Sequence, residues 1–405
     1  MIEASDDGIR LASSLLIDGK LVAFPTETVY GLGAHALDEK AVISIFKAKG
    51  RPFTDPVIVH VLDLNTALPL IEVTEEENII FQSLGSAFWP GPLTMIVKAG
   101  KMIPLKVTAN TGFVGIRCPS HNIARQLLTK ANIPIAAPSA NRFGHVSPTK
   151  PEHVLADLGH QGVTVLKPVE INDDSNSCND KNNNECEYGI ESTVIKIDAY
   201  NKSINILRQG AVTKHQIETI LKKENILWSV EVTQRIVPIP GTINGSDEYK
   251  TENDENNKDE EECGEQAPGQ SITHYAPDIP CFKVGTIKYE IDKSNIDHFN
   301  DNDSLMISYP EKLFKQTVVG IDFNGSLSKL TTSFLDYRDL SSQGNASEAA
   351  RNLFEFLRWA ENVEGVKTVF IAPVDGALEQ DLGPGLFDRI LRATSGKTVH
   401  ALISS

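Results

Sequence analysis

The sequence contains no run of about twenty apolar residues, so an ordinary membrane-spanning helix is not expected and no membrane partner is assigned. Cysteine is sparse. Cys118, Cys178, Cys186, Cys263 and Cys281 are odd in number and include no Cys-x-x-Cys pair, which argues against both a disulfide framework and a zinc centre. Positive charge is also in deficit: 38 Lys and Arg face 54 Asp and Glu, a formal charge of −16 that counts against a broad basic surface for nucleic acid. No Ser-His-Asp or Cys-His signature points to a covalent nucleophile. A dinucleotide fingerprint is missing too, since Gly383-Pro-Gly385 lacks the rest of that motif. The first ten residues have neither the basic and apolar blocks of a secretory signal nor an Arg-rich presequence, so a cytoplasmic location is the expectation.

What is present is enough chain for two domains: 405 residues, 40% of them hydrophobic. Much of the acid is local. Residues 252–262 and 172–187 hold −6 and −4 of the −16, leaving −6 for the rest, so a cationic pocket for a polyanion is compatible with the overall balance. Both stretches are too poor in apolar residues to fold, and Asn172–Asn184 and Ser246–Glu265 are read as disordered. Elsewhere short apolar runs alternate with amphipathic stretches, the rhythm of an α/β protein. Strands are expected at Leu21–Phe24, Val57–Val61, Leu93–Val97, Val114–Arg117, Ile133–Ala137, Thr193–Ile197 and Ile204–Leu207, with helices at Glu39–Ala48, Asn122–Lys130 and Thr213–Lys223. A second series comes after them, with strands at Leu305–Ser308, Val318–Ile321 and Thr368–Ile371 and helices at Ser347–Glu361 and Leu386–Thr394.

Three clusters could carry chemistry. Phe24 to Gly33 runs from a strand into a loop whose glycines admit a ligand to the backbone and whose Thr26 and Thr28 offer hydroxyls. Phe46 to Pro56 ends a helix at Gly50 and presents Lys49 and Arg51, cations suited to phosphate oxygens or to the helix dipole. Ile135 to Thr149 empties an apolar strand into Ser139, Asn141 and Ser147, small polar groups at a strand's carboxyl end, with Thr149 placed to cap the next helix.

Pro25-Thr-Glu-Thr-Val-Tyr-Gly31, Lys49-Gly-Arg-Pro52, Gly115-Ile-Arg-Cys-Pro119, Ala137-Pro-Ser-Ala-Asn141, Glu191-Ser-Thr-Val194 and Leu207-Arg-Gln-Gly210 occur in the order and approximate spacing of the YrdC-domain family, which the chain resembles over about residues 8–225. Pro268-Gly-Gln-Ser-Ile-Thr-His-Tyr-Ala-Pro277 and the remainder of the chain resemble its two-domain branch. The resemblance implies a twisted mixed α/β sheet with helices around a concave, positively lined cavity in residues 8–225. It further implies a linker, 226–279, that folds over the cavity's mouth, and a smaller Rossmann-like domain, 280–405. The implied reaction joins L-threonine, bicarbonate and ATP, with Mg2+, into threonylcarbamoyl-AMP and pyrophosphate for a downstream tRNA threonylcarbamoyl transferase. Direct tRNA binding is not expected.

By the same resemblance Lys49, Arg51, Ser139 and Asn141 hold the triphosphate, and Asp55, Ser147, Arg208 and Tyr275 complete the ATP side. Thr28, His60, Arg117 and Ser192 match threonine-holding positions, with Arg117 facing its carboxylate, and His274 with Tyr275 form the lid. Two positions depart from the family pattern. Asp55 replaces a more usual Asn, an oddity near phosphates unless Mg2+ or Lys49 offsets it, and Gln270 to Thr273 replaces a more basic stretch. An RNA-binding module, a carbamoyl-phosphate-using relative and a non-catalytic paralogue are the competing readings.

Overall fold

The computed structural model describes residues 1–169, 186–233, 265, 267, 275–289 and 304–404. The Asn-rich segment Asn172–Asn184, nearly all of the acidic segment, Gln270 to Thr273 and His274 lie outside the described residues.

In chain order the first domain comprises β1 (Ile2–Glu3), α1 (Asp6–Ile17), β2 (Val22–Phe24), β3 (Gly31–His35), α2 (Glu39–Lys49), β4 (Val59–His60), α3 (Leu64–Ala67), α4 (Glu75–Phe88), β5 (Leu93–Lys98), β6 (Phe113–Arg117), α5 (Asn122–Ala131) and β7 (Ile135–Ala136). It continues through α6 (Pro151–Leu158), β8 (Thr164–Lys167), β9 (Thr193–Asp198), β10 (Ser203–Arg208), α7 (Lys214–Lys223) and β11 (Ser229–Val232). The strands form one mixed sheet in the order β1-β8-β2-β3-β7-β4-β6-β5-β9-β10-β11. Its short strands β4 and β7 lie in the middle and run antiparallel, with His60 opposite Ile135.

Local rules explain the element ends. Gly50 closes α2 in the left-handed conformation, φ 64°, which a residue without Cβ adopts freely. Thr74 and Glu77 form a reciprocal capping box that starts α4. Thr149 does not cap α6, contrary to expectation: Lys150 is the N-cap, and Pro151 comes next with its fixed φ already suited to the first helical turn.

The second domain is a six-stranded, wholly parallel sheet with helices, the Rossmann-like unit expected. It contains β12 (Cys281–Tyr289), β13 (Ser304–Pro310), α8 (Glu311–Thr317), β14 (Val318–Asp322), β15 (Asp336–Asp339), α9 (Ala346–Glu361), β16 (Thr368–Ile371), α10 (Gly383–Ala393) and β17 (Thr398–Ser404), in the order β13-β17-β12-β16-β14-β15. Strands β14 and β16 are buried along their whole length because both faces of a parallel sheet are covered.

The two domains share a core. Val29, Val146 and Ile190 of the first and Tyr275 of the linker belong to the same buried cluster as Phe354, Leu386 and Ile390 of the second. Around it Arg358 pairs with Asp157 at 2.9 Å, and His145 bridges Asp157 at 2.9 Å and Glu361 at 3.1 Å. Burial opposes the charge on His145, but its two carboxylate partners outweigh that and raise its pKa. Close approach requires Gly189, whose φ is 68° and where an added Cβ would lie 2.3 Å from the Cα of Arg351 on α9. Gly189→Ala is therefore expected to push α9 outward and lower stability by about 1–3 kcal/mol, against less than about 0.5 kcal/mol for Gly159→Ala, whose added Cβ meets nothing closer than ordinary contact. Thermal unfolding of the two variants checks this, and equal midpoints would refute it.

Candidate active site

The cavity lies over the short central strands. Thr26, Thr28 and Val29 of the β2–β3 loop, Ile58 just before β4, His60 of β4, Arg117 at the end of β6, Ser139 after β7, and Arg51, Glu191, Arg208 and Tyr275 line it. Its empty volume is about 530 Å3 including the open mouth. Because β4 and β7 are antiparallel, the lining comes from both ends of these strands. Ser139 follows the carboxyl end of β7, as expected, and His60 and Arg117 stand at the carboxyl ends of β4 and β6.

Arg117, at the end of β6, donates to Glu27 Oε1 at 2.6 Å, and Glu27 Oε2 accepts the backbone N–H groups of Ser120 and His121. The Arg117 Nε and the His60 Nδ1 are buried and have no hydrogen-bond partner among the described residues. A buried polar atom left so costs about 1–3 kcal/mol, and a ligand with a carboxylate and a hydroxyl would recover it. Beside them Thr28 shares a hydrogen bond with Thr26 at 2.8 Å. Burial, then the neighbouring Arg117, lowers the His60 pKa to about 3, so the imidazole is neutral.

Arg51 lines the wall with its guanidinium held by the carbonyls of Asp55 and Pro56, and it pairs with the Asp55 carboxylate at 2.7 Å. The side chain that pairs with Asp55 is thus Arg51, and not the expected Lys49. Lys49 does not line the cavity. Its Nζ lies behind the wall, donating to the carbonyls of Ser139 at 2.6 Å and Asn141 at 2.5 Å, and burial followed by Arg51 lowers its pKa well below the usual lysine value. Asn141 also sits behind, its amide bound to the carbonyls of Arg142 and His145 and its Oδ1 accepting from Ser139 Oγ. Of the four residues expected to hold phosphate, Arg51 and Ser139 face the cavity, and Lys49 and Asn141 brace the loop that carries Ser139.

Ser192 is buried between Thr94, at 2.9 Å, and Arg208, at 3.1 Å. Ser147 is buried as well and donates to Glu191. Tyr275 reaches the cavity from the linker with φ 62°, a left-handed conformation that costs an aromatic residue about 1–3 kcal/mol. Packing on Phe354, with ring centroids 5.6 Å apart, and a bond to Arg208 hold it there. Glu27 and Glu191 carry no role in the sequence reading, although both stand inside quoted motifs. A carboxylate looks misplaced beside a polyanion until its arginine partner is found.

The family model described as "Telomere recombination" matches residues 14–210, and the one described as "Threonylcarbamoyl-AMP synthase, C-terminal domain" matches residues 212–395. The threonylcarbamoyl-AMP synthase of Pyrococcus abyssi is 30% identical over 391 residues, covering 96% of this chain and 95% of its own. That of Bacillus subtilis is 36% identical over 283 residues, 69% of this chain and 67% of its own. The crystal structure of P. abyssi Sua5 complexed with L-threonine superposes with a TM-score of 0.69 at 28% identity, covering 98% of this chain and 96% of that one.

Burial also lowers the pKa of His121 to about 4 and of His153 to about 3, in the same direction as His60. All three folded values lie below the unfolded value of about 6.5, so on acidification the unfolded chain takes up protons that the folded chain refuses, and stability falls as pH drops below about 6.5. Removing one such group in His60→Gln should flatten the fall by about one proton, or about 1.4 kcal/mol per pH unit at most, between about pH 6 and 4. Unfolding midpoints measured across that range test it. A slope equal to the wild type's would show that His60 is not held neutral.

Proposed function

The chain belongs to the Sua5–YciO–YrdC family, and from that membership we propose that it joins L-threonine, bicarbonate and ATP into L-threonylcarbamoyl-AMP, releasing pyrophosphate and water, for modification of tRNA adenosine beside the anticodon. It acts as a nucleotidyltransferase, in the cytoplasm, and its product passes to a separate tRNA threonylcarbamoyl transferase. Among the described residues no helix is long and apolar enough to cross a membrane.

The observation that carries this reading is the chemistry of the cavity lining, which we read as two parts. One side offers the partnerless Arg117 Nε and His60 Nδ1 beside Thr28, a set of groups for an amino acid's carboxylate and hydroxyl. The other offers Arg51, Ser139 and Arg208, a cationic and hydroxyl wall for a triphosphate. N-carboxythreonine is a weak nucleophile, and its carbamate oxygen must meet the α-phosphorus opposite the departing pyrophosphate. The protein's task is therefore to place the two along one line and to neutralise charge. Lys49 serves by fixing the Ser139 loop, and Asp55 by fixing Arg51. Tyr275 closes the side where water would hydrolyse the mixed anhydride.

Glu191 is the one carboxylate among the described lining residues, and Ser147 and Arg389 already bind it. Magnesium would accompany the nucleotide here and would supply charge neutralisation on the triphosphate. The second domain and its matched family model favour this reaction over carbamoyl-phosphate chemistry, whose enzymes in this superfamily lack that domain.

Pyrophosphate release should require L-threonine and bicarbonate together and should fail with serine in place of threonine. Arg117→Ala should raise the KM for threonine by about a hundredfold while changing that for ATP by less than about threefold, whereas Arg51→Ala should lower kcat/KM for ATP by about a hundredfold or more. Turnover indifferent to threonine and bicarbonate would remove the assignment.

A further inference from the structure

One side chain of α10 in the second domain reaches a charged residue of the cavity wall. Arg389 is 0% exposed, and its guanidinium donates from Nε to Glu191 Oε2 at 2.7 Å, from one terminal nitrogen to Gln209 O at 2.9 Å, and from the other to Glu191 O at 3.3 Å. Asp388, its neighbour in sequence, accepts from it at 2.6 Å, and Arg389 also lies 5.3 Å from the centre of the Tyr275 ring. Ser147 occupies the other carboxylate oxygen of Glu191.

This contact differs from the exposed bridge between the domains. Lys150 and Glu355 pair at 2.7 Å with side chains 49% and 36% exposed and no part in the cavity, so water screens them and they tether weakly. Arg389 is fully desolvated, and its partner lines the cavity that must accept a polyanion. A buried carboxylate stripped of its cation would face a triphosphate with uncompensated like charge.

We propose that Arg389 is the positioning residue through which the second domain completes the nucleotide side of the cavity: it cancels the charge of Glu191 in the wall and seats Tyr275 over it. The inference rests on the reading of that side as the ATP side. It gives the second domain a definite part in the reaction, since a catalytic domain without it would carry an unpaired glutamate in its binding wall.

ATP binding measured by calorimetry, beside steady-state kinetics and thermal unfolding, tests it on the full chain. Arg389→Gln should weaken ATP binding and raise its KM by about tenfold or more, with the KM for threonine within about twofold of wild type. Adding Glu191→Gln removes the uncompensated charge, so the double variant should regain ATP affinity to within about threefold of wild type, a rescue that a merely structural tether would not give. Glu355→Gln, which breaks the exposed bridge, should leave ATP binding unchanged. Unchanged ATP affinity in a folded Arg389→Gln would overturn the proposal, as would a double variant that binds no better than the single. Where Arg389→Gln alone fails to fold, the double variant carries the test, and a folded double variant with wild-type-like ATP binding is the supporting result. Wild-type protein that binds ATP but forms no threonylcarbamoyl-AMP would refute the reaction and leave the test of Arg389 standing.

Discussion

Buried positive charge is the constraint on which the site depends. Lys49, Arg51, Arg117, Arg208, Arg358 and Arg389 are all almost wholly buried, and an ion removed from water costs several kcal/mol unless oxygen atoms replace its hydration. Each of the six therefore draws a segment of chain around itself. Lys49 gathers the Ser139–Asn141 loop, Arg51 curls the Asp55–Pro56 turn, Arg117 takes Glu27, and Arg208 takes Ser192. Arg358 and Arg389 do the same across the domain boundary, with Asp157 and Glu191. The cavity is what remains among these groups: loops of irregular backbone held open by paired cations.

That arrangement leaves some polar atoms unsatisfied where the substrates belong. Arg117 gives one terminal nitrogen to Glu27, while its Nε and the Nδ1 of the neutral His60 stay without partners among the described residues. Pre-organised groups of this kind need little rearrangement when a substrate arrives, and the low exposure around them strengthens each contact. Tyr275 ties this chemistry to the domain arrangement, because packing on Phe354 of the second domain and a bond to Arg208 of the first together hold its unfavourable backbone conformation.

Much of this was legible in the sequence. Helices such as Glu39–Lys49 and Ala346–Glu361 and strand Thr368–Ile371 follow from apolar spacing and caps. Helices α1 and α4 escaped the reading, although Ser5 and the Thr74–Glu77 capping box mark their starts. Strand β17 also escaped, although Thr398–Ser404 alternates buried and half-exposed residues as a strand should. In the site, residue type fixed the inventory of charges but not their direction. Lys49 reads as a phosphate ligand, yet its ammonium points at carbonyls 90 and 92 residues away. Glu27 and Glu191 needed arginines 90 and 198 residues away before their carboxylates made sense, and no local pattern announces such pairs.

The central claim is that the cavity brings a carboxylated threonine, and not threonine itself, to the α-phosphate of ATP. Supplying carbon-13 bicarbonate with unlabelled L-threonine and ATP, then weighing the adenylate by mass spectrometry, addresses that claim at the bond in question. The account requires threonylcarbamoyl-AMP heavier by one mass unit, with the label in the carbamoyl carbon. An unlabelled adenylate of threonine, or AMP alone, would contradict it.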